Sequence, residues 1–223
     1  MIPAYDAEAM IGGVIESLQQ TLPDHEIVVV DDGSRDGTAE LARSKKCTVI
    51  VHEQNRGKGA ALRTAFVAAM EKGFDVALTV DADGQHPAEE AKLVLEADED
   101  PSALVLGIRA LTSAGAPKKN VFSNGISNFF ISRFAGRPLA DTQCGLRRYP
   151  IDKTLALSAR GTGYEFEAEI LLRSVWAGVR VVEVPIKVLY PEDRVTHFRI
   201  GRDPWRIIKA VVGASFEHAR GDA

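Results

Sequence analysis

Cysteine is nearly missing from this chain of 223 residues, which has only Cys47 and Cys144. Set among apolar or Gly-flanked neighbours, they read as buried free thiols in a reducing compartment and exclude a disulfide-stapled scaffold. Long apolar runs are missing too. No stretch reaches the ~18 to 20 uninterrupted apolar residues of a spanning helix, and the best tail segment is broken by Arg206, Lys209 and Glu217. Basic residues are not in excess: 27 Lys plus Arg face 31 Asp plus Glu, a formal charge of -4, which argues against nucleic acid as the main partner. The opening Met1-Ile2-Pro3-Ala4-Tyr5-Asp6 lacks the basic n-region of a signal peptide. The expectation is a cytoplasmic protein, with any membrane contact peripheral, at the inner face.

Several catalytic signatures are absent as well. Asn55-Arg56-Gly57-Lys58-Gly59 is no Walker A loop, because His52 stands where its first Gly belongs and Gly59 where Ser or Thr belongs. No Gly-x-Gly-x-x-Gly follows the first strand, which disfavours a nicotinamide enzyme. The five histidines show no zinc spacing. Ser34, Ser123 and Cys144 lack an elbow motif or an evident His partner.

What is present is a well-mixed globular composition, 45% hydrophobic and 26% charged, long enough for one domain with at most an appendage. Val/Ile-rich runs at Glu26 to Asp31, Thr48 to His52, Val76 to Asp81, Ala103 to Gly107 and Val179 to Val184 predict central strands, and the segments between them read as helices. This is an α/β pattern. Leu62, Ala65, Phe66, Ala69 and Met70 form one apolar stripe and predict a helix over Gly59 to Lys72. A Phe-rich helix is expected over 121–134, another over Phe166 to Trp176, and an amphipathic tail helix opening at Asp203-Pro204 and reaching Phe216. Residues 1–190 are read as the main domain and 191–223 as a C-terminal extension.

Two acidic segments each follow a Val-rich strand. In Asp81-Ala82-Asp83-Gly84-Gln85 the alternation points both carboxylates the same way at a strand end, where open α/β sheets bind ligands. Hard oxygen donors there suit Mg²⁺ or Mn²⁺ on a diphosphate. An Asp-x-Asp is also an ordinary acidic turn capping the next helix, and alone it decides nothing. Asp31-Asp32-Gly33-Ser34 is weaker still, since acidic Gly turns are common connectors. Asn55 to Gly59 could face an anion at a helix start.

Taken in order, Ile2-Pro3-Ala4-Tyr5-Asp6-Ala7-Glu8, Val28-Val29-Val30-Asp31-Asp32-Gly33-Ser34, Asn55 to Gly59, Asp81 to Pro87, Gly107-Ile108-Arg109, Asp141-Thr142-Gln143-Cys144-Gly145-Leu146-Arg147 and Val182 to Ile186 resemble family-2 glycosyltransferases of the GT-A fold. The branch is that of dolichyl-phosphate mannose and glucose synthases. The resemblance implies a Rossmann-like, mostly parallel sheet flanked by helices, with the first strand nearly absent because only Met1-Ile2 precedes the Pro-x-Tyr motif. It implies an inverting, metal-dependent hexosyltransferase of the cell envelope, using a UDP- or GDP-sugar and a polyprenyl phosphate.

The same resemblance assigns Pro3, Tyr5, Glu8, Asp32 and Lys58 to the nucleotide, together with Asp81. It assigns Asp81, Asp83 and Gln85 to the metal, Arg109 to the acceptor phosphate, and Asp141 to a catalytic position facing the acceptor. Arg194 is a further candidate for acceptor binding, because Arg holds phosphate oxygens through paired bonds. Two alternatives stand beside this reading: transfer to an alcohol of a glycolipid or polysaccharide, and a catalytically weakened subunit that binds nucleotide or membrane. The Phe-rich and tail helices, with Lys118, Lys119, Arg206 and Lys209, are expected either to face a membrane or to pack on the core.

Overall fold

The computed structural model describes residues 1–110, 118–189 and 202–220. Arg194 lies outside the described residues. The chain runs β1 (Ile2–Ala4), α1 (Glu8–Thr21), β2 (Val28–Asp31), α2 (Thr38–Ser44), β3 (Thr48–Val51), α3 (Lys58–Glu71), β4 (Val76–Thr79), α4 (Ala88–Glu96), β5 (Leu104–Arg109), α5 (Lys118–Ala135), β6 (Arg147–Pro150), α6 (Ile151–Ala156), α7 (Glu165–Trp176), β7 (Val181–Ile186) and α8 (Asp203–Arg220).

Strands β1, β2 and β3 pair in parallel in that order, with Ile2 opposite Val29 and Val29 opposite Val49. A second group runs β4-β6-β5-β7. Met1 joins the two groups: its nitrogen donates to the Leu78 carbonyl at 2.7 Å and its carbonyl accepts from Val80 N at 3.0 Å, the pattern of a parallel ladder. The first strand is short, as the sequence implies, yet it lies inside the combined sheet, between β2 and β4, with Ile2 fully buried. The strand that sequence reading misses is β6. It runs antiparallel between β4 and β5, and its Arg-Arg-Tyr-Pro has none of the Val/Ile character that marked the others.

Helices cover both faces. Ile11, Ile15 and Leu18 of α1 and Ala91 and Val94 of α4 share a core with Ile2, Val29 and Val105. On the other face Leu62 and Phe66 of α3, Ile131 of α5, Ile170 to Leu172 of α7, and Ile207 and Val211 of α8 enclose Leu104, Leu106 and Tyr149. Among the described residues no helix is long and apolar enough to cross a membrane.

Helix α5 is inside out for a surface helix. It buries Asn124 and Ser127 with Ile131, while Phe122 is 72% and Phe129 67% exposed. The polar face is used to hold the loop before β6. Asn128 donates to the Ala140 carbonyl at 2.7 Å and accepts from Thr142 N and Oγ1 at 2.9 and 2.8 Å, and Gln143 Nε2 donates to Ser127 Oγ at 2.6 Å. Helix α8 buries an apolar stripe, Ile207, Val211 and Ala214, and like α5 leaves aromatics exposed, Trp205 and Phe216.

Candidate active site

Three loops leave the carboxyl ends of β1, β2 and β4 on one side of the sheet, the edge where α/β proteins bind ligands. The first two interlock. Ala7 N donates to Thr38 Oγ1 at 2.8 Å, Arg35 N to Asp6 Oδ1 at 2.8 Å, and Gly37 N to Glu8 Oε2 at 3.0 Å. Glu8 thus fastens the β1 loop to the start of α2, and Pro3 and Tyr5 stand half-buried on the same segment.

Asp32 anchors the next loop from beneath. It is 3% exposed, and its carboxylate accepts from Arg56 N at 3.0 Å and Gly57 N at 2.7 Å while meeting His52 Nδ1 at 2.6 Å. This holds the turn that starts α3 and carries Lys58. Gly57 has φ of 96°, and a Cβ there would lie 2.4 Å from the Thr162 carbonyl. Both conditions require glycine. Gly57→Ala should therefore cost about 1 to 3 kcal/mol, read as a melting temperature lower by roughly 2 to 4 °C per kcal/mol for a chain of this size. An unchanged melting temperature would contradict this account of the loop.

Lys58 is the hub of the site. Its Nζ lies 2.7 Å from Asp81 Oδ1 and 2.9 Å from Glu167 Oε2, with the Tyr164 ring 5.6 Å away. Burial alone would lower the lysine's pKa, but the two carboxylates more than offset it and the net shift is upward. Burial would raise the Asp81 carboxyl, and the adjacent Lys58 reverses that, so Asp81 is held below its ordinary value. Both groups are charged at neutral pH. Asp83 is oriented within its own turn, accepting from Gln85 N at 3.1 Å and Gln85 Nε2 at 2.8 Å. Gly145 lies against Asp81, since a Cβ there would be 2.3 Å from Asp81 Oδ2.

Arg109 and Asp141 form a fork-on-fork pair. Arg109 Nε and NH2 donate to Asp141 Oδ2 and Oδ1 at 2.7 and 3.0 Å, and Gln143 N adds a bond to Oδ1 at 3.2 Å. Asp141 is 1% exposed. Burial pushes its carboxyl up, but the Arg109 guanidinium wins and the pKa falls below the usual carboxylate range. His86 feels the charges of Asp81, Arg109, Lys58 and Asp141, so the two halves of the site converge on one buried imidazole. Burial lowers its pKa to about 4, leaving it neutral at pH 7.

Sequence reasoning missed Glu167 and Arg147. Arg147 is fully buried and donates to the carbonyls of Thr142, Cys144 and Glu167 at 2.7, 2.7 and 2.8 Å, clamping the Asp141 loop onto α7. The one available signal for Glu167 was an acidic pair inside the apolar run Phe166-Glu167-Ala168-Glu169, which also reads as first-turn helix acids.

The donor chemistry fits a divalent metal. Asp81 is already engaged by a cation, Lys58, and the neighbouring side chains of Asp83 and Gln85 carry hard oxygens. No group of three His, Cys, Asp or Glu converges at metal-ligand spacing among the described residues.

Fold and strand-end carboxylates together define a GT-A glycosyltransferase. Residues 1–152 match Glycosyl transferase family 2, and the chain belongs to that family. It is 34% identical to the UDP-N-acetylglucosamine--dolichyl-phosphate N-acetylglucosaminyltransferase of Methanococcus voltae, over 90% of each chain. It is 28% identical to the undecaprenyl-phosphate mannosyltransferase of Micrococcus luteus, over 83% of this chain and 81% of that one. Among solved structures, glucosyl-3-phosphoglycerate synthase from Mycobacterium tuberculosis with Mn²⁺ and UDP-glucose superposes with a TM-score of 0.73 at 17% identity, covering 96% of this chain and 77% of that one. At that identity the likeness shows the fold.

Proposed function

We propose that the protein moves a hexose, with inversion, from a UDP- or GDP-sugar to a polyprenyl phosphate. The observation that carries the choice of acceptor is the Arg109–Asp141 pair. An alcohol acceptor needs a general base, and a carboxylate buried beneath a guanidinium with a lowered pKa is poorly suited to take a proton. A phosphate monoester has a second pKa near ~6 and attacks as an anion without a base. The relatives named for polyprenyl-phosphate transfer support the same choice.

In this reading Asp83, Asp81 and Gln85 hold Mg²⁺ or Mn²⁺, which would neutralise charge on the departing diphosphate. Pro3, Tyr5 and Glu8 border the nucleotide, and Asp32 fixes the loop that presents Lys58 to it. Arg109, held flat by Asp141, directs its guanidinium to the acceptor phosphate, and Asp141 is a positioning residue. The test is a donor screen beginning with UDP-sugars, each assayed with Mn²⁺ against polyprenyl phosphate and polyprenol. Transfer to the phosphate supports the proposal, and exclusive transfer to the alcohol defeats it.

The exposed aromatics of α5 and α8, Phe122, Phe129, Trp205 and Phe216, are accompanied by exposed Arg133 and Lys209. The side chains of Lys118 and Lys119 lie outside the described residues. Exposed aromatic and basic groups on two amphipathic helices that pack together support docking in a lipid interface, where a polyprenyl phosphate resides. The chain should float with anionic liposomes at low salt, and Phe129→Ser with Trp205→Ser should release it. Failure of the parent protein to float would assign these helices to core packing alone.

A further inference from the structure

Lys58 is shared between two carboxylates of unequal standing. Asp81 belongs to the Asp-x-Asp turn, whereas Glu167 sits on α7 at 5% exposure. The second oxygen of Glu167, Oε1, is buried and has no hydrogen-bond partner among the described residues. A carboxylate accepts about four hydrogen bonds, so Glu167 holds unused acceptor capacity beside the cation it shares.

Gly145 backs Asp81, and the Glu167 main chain is held through its carbonyl by Arg147 at 2.8 Å. The adaptable member is the lysine, a point charge on a flexible four-carbon stem.

We infer that Lys58 is an internal placeholder on Asp81, and that Glu167 is the seat to which it withdraws when a divalent cation arrives with the nucleotide diphosphate. The inference rests on the metal reading of Asp81 and Asp83. A divalent ion and an ammonium on the same carboxylate repel each other, so metal alone must displace Lys58 and binds weakly. The diphosphate supplies the negative charge that favours the exchange, which couples metal binding to nucleotide binding. Glu167 acts through Lys58 and is a positioning residue.

The experiment titrates MnCl₂ into the full chain, counting free Mn²⁺ by electron paramagnetic resonance, without nucleotide and with UDP or GDP. Lys58→Met should bind Mn²⁺ without nucleotide about tenfold tighter than the parent, because a competing positive charge is gone. Glu167→Gln removes the alternative seat and should bind about tenfold more weakly. In the Lys58→Met background Glu167→Gln should cost less affinity than it does in the parent, because without the lysine only the direct charge of Glu167 remains.

An affinity in Lys58→Met that is unchanged or weaker overturns the inference, as does one in Glu167→Gln that is unchanged or tighter. Circular dichroism verifies folding. If Lys58→Met does not fold, the isosteric Glu167→Gln decides by itself. If the parent binds no Mn²⁺ even with UDP or GDP, the metal reading fails and the inference with it. Normal nucleotide-coupled binding with undiverging variants defeats the inference alone.

Discussion

Asp83→Ala is expected to lose transfer by about 10³-fold while keeping its fold. Removing one group aimed at developing charge costs ~10² to 10³, and a metal carboxylate adds the weakening of the ion itself. The structural loss is small by comparison. Asp83 is half-buried and accepts two hydrogen bonds from Gln85 within its own turn, and losing bonds of this kind costs about 1 kcal/mol, or roughly 2 to 4 °C of melting temperature. Initial transfer rate and thermal unfolding, measured on one preparation, separate the two effects. A variant retaining more than a tenth of the parent rate would remove Asp83 from the chemistry.

Arg109→Ala should be the most damaging change on the acceptor side. It leaves Asp141, 1% exposed, as a buried charge without its guanidinium. Breaking a buried pair from one side costs about 3 to 5 kcal/mol, a fall of roughly 10 °C in melting temperature at this size. Asp141→Asn keeps the shape and one of the two acceptor oxygens, leaving Arg109 in place with one bond of its fork lost, and its rate should fall less than that of Arg109→Ala. If an alcohol were the acceptor and Asp141 the base, the order would reverse, with Asp141→Asn losing ~10² to 10⁴.

The acid dependence of stability gives an independent reading. In the parent the folded pKa of Asp141 is depressed by Arg109. Its contribution is therefore present at neutral pH and is lost as pH falls through that folded value. In Arg109→Ala burial, the largest influence on Asp141, is opposed only by the main-chain N–H groups of Gln143 and residue 109 and raises the folded pKa above the unfolded value of ~3.9. The folded variant then binds the extra proton, and its stability deficit should shrink between pH 7 and about pH 5. Urea unfolding at the two pH values checks this. A deficit that stays constant or grows on acidification would mean that Asp141 is not left as an isolated buried charge.

Much of the fold is legible locally. Val28 to Val30 read as a buried strand and are one, and the stripe from Leu62 to Met70 predicts the helix found over Lys58–Glu71. Chain-local spacing also brings Asp81, Asp83 and Gln85 to a strand end, because strand alternation and a glycine turn act within a few residues. Sequence pattern determined the α/β class and the family motifs without help from distant contacts.

The partners of the charges were decided only by tertiary structure. Lys58 meets Glu167 because α3 packs against α7, and Arg109 meets Asp141 because the loop before β6 is tied to α5. Strand β6, with Arg147 wholly buried, carries no Val/Ile pattern that would mark it as a strand. Periodicity reports which side of its own element a residue faces. What a buried charge pairs with depends on which elements become neighbours, and a charge removed from water must find that neighbour or go without.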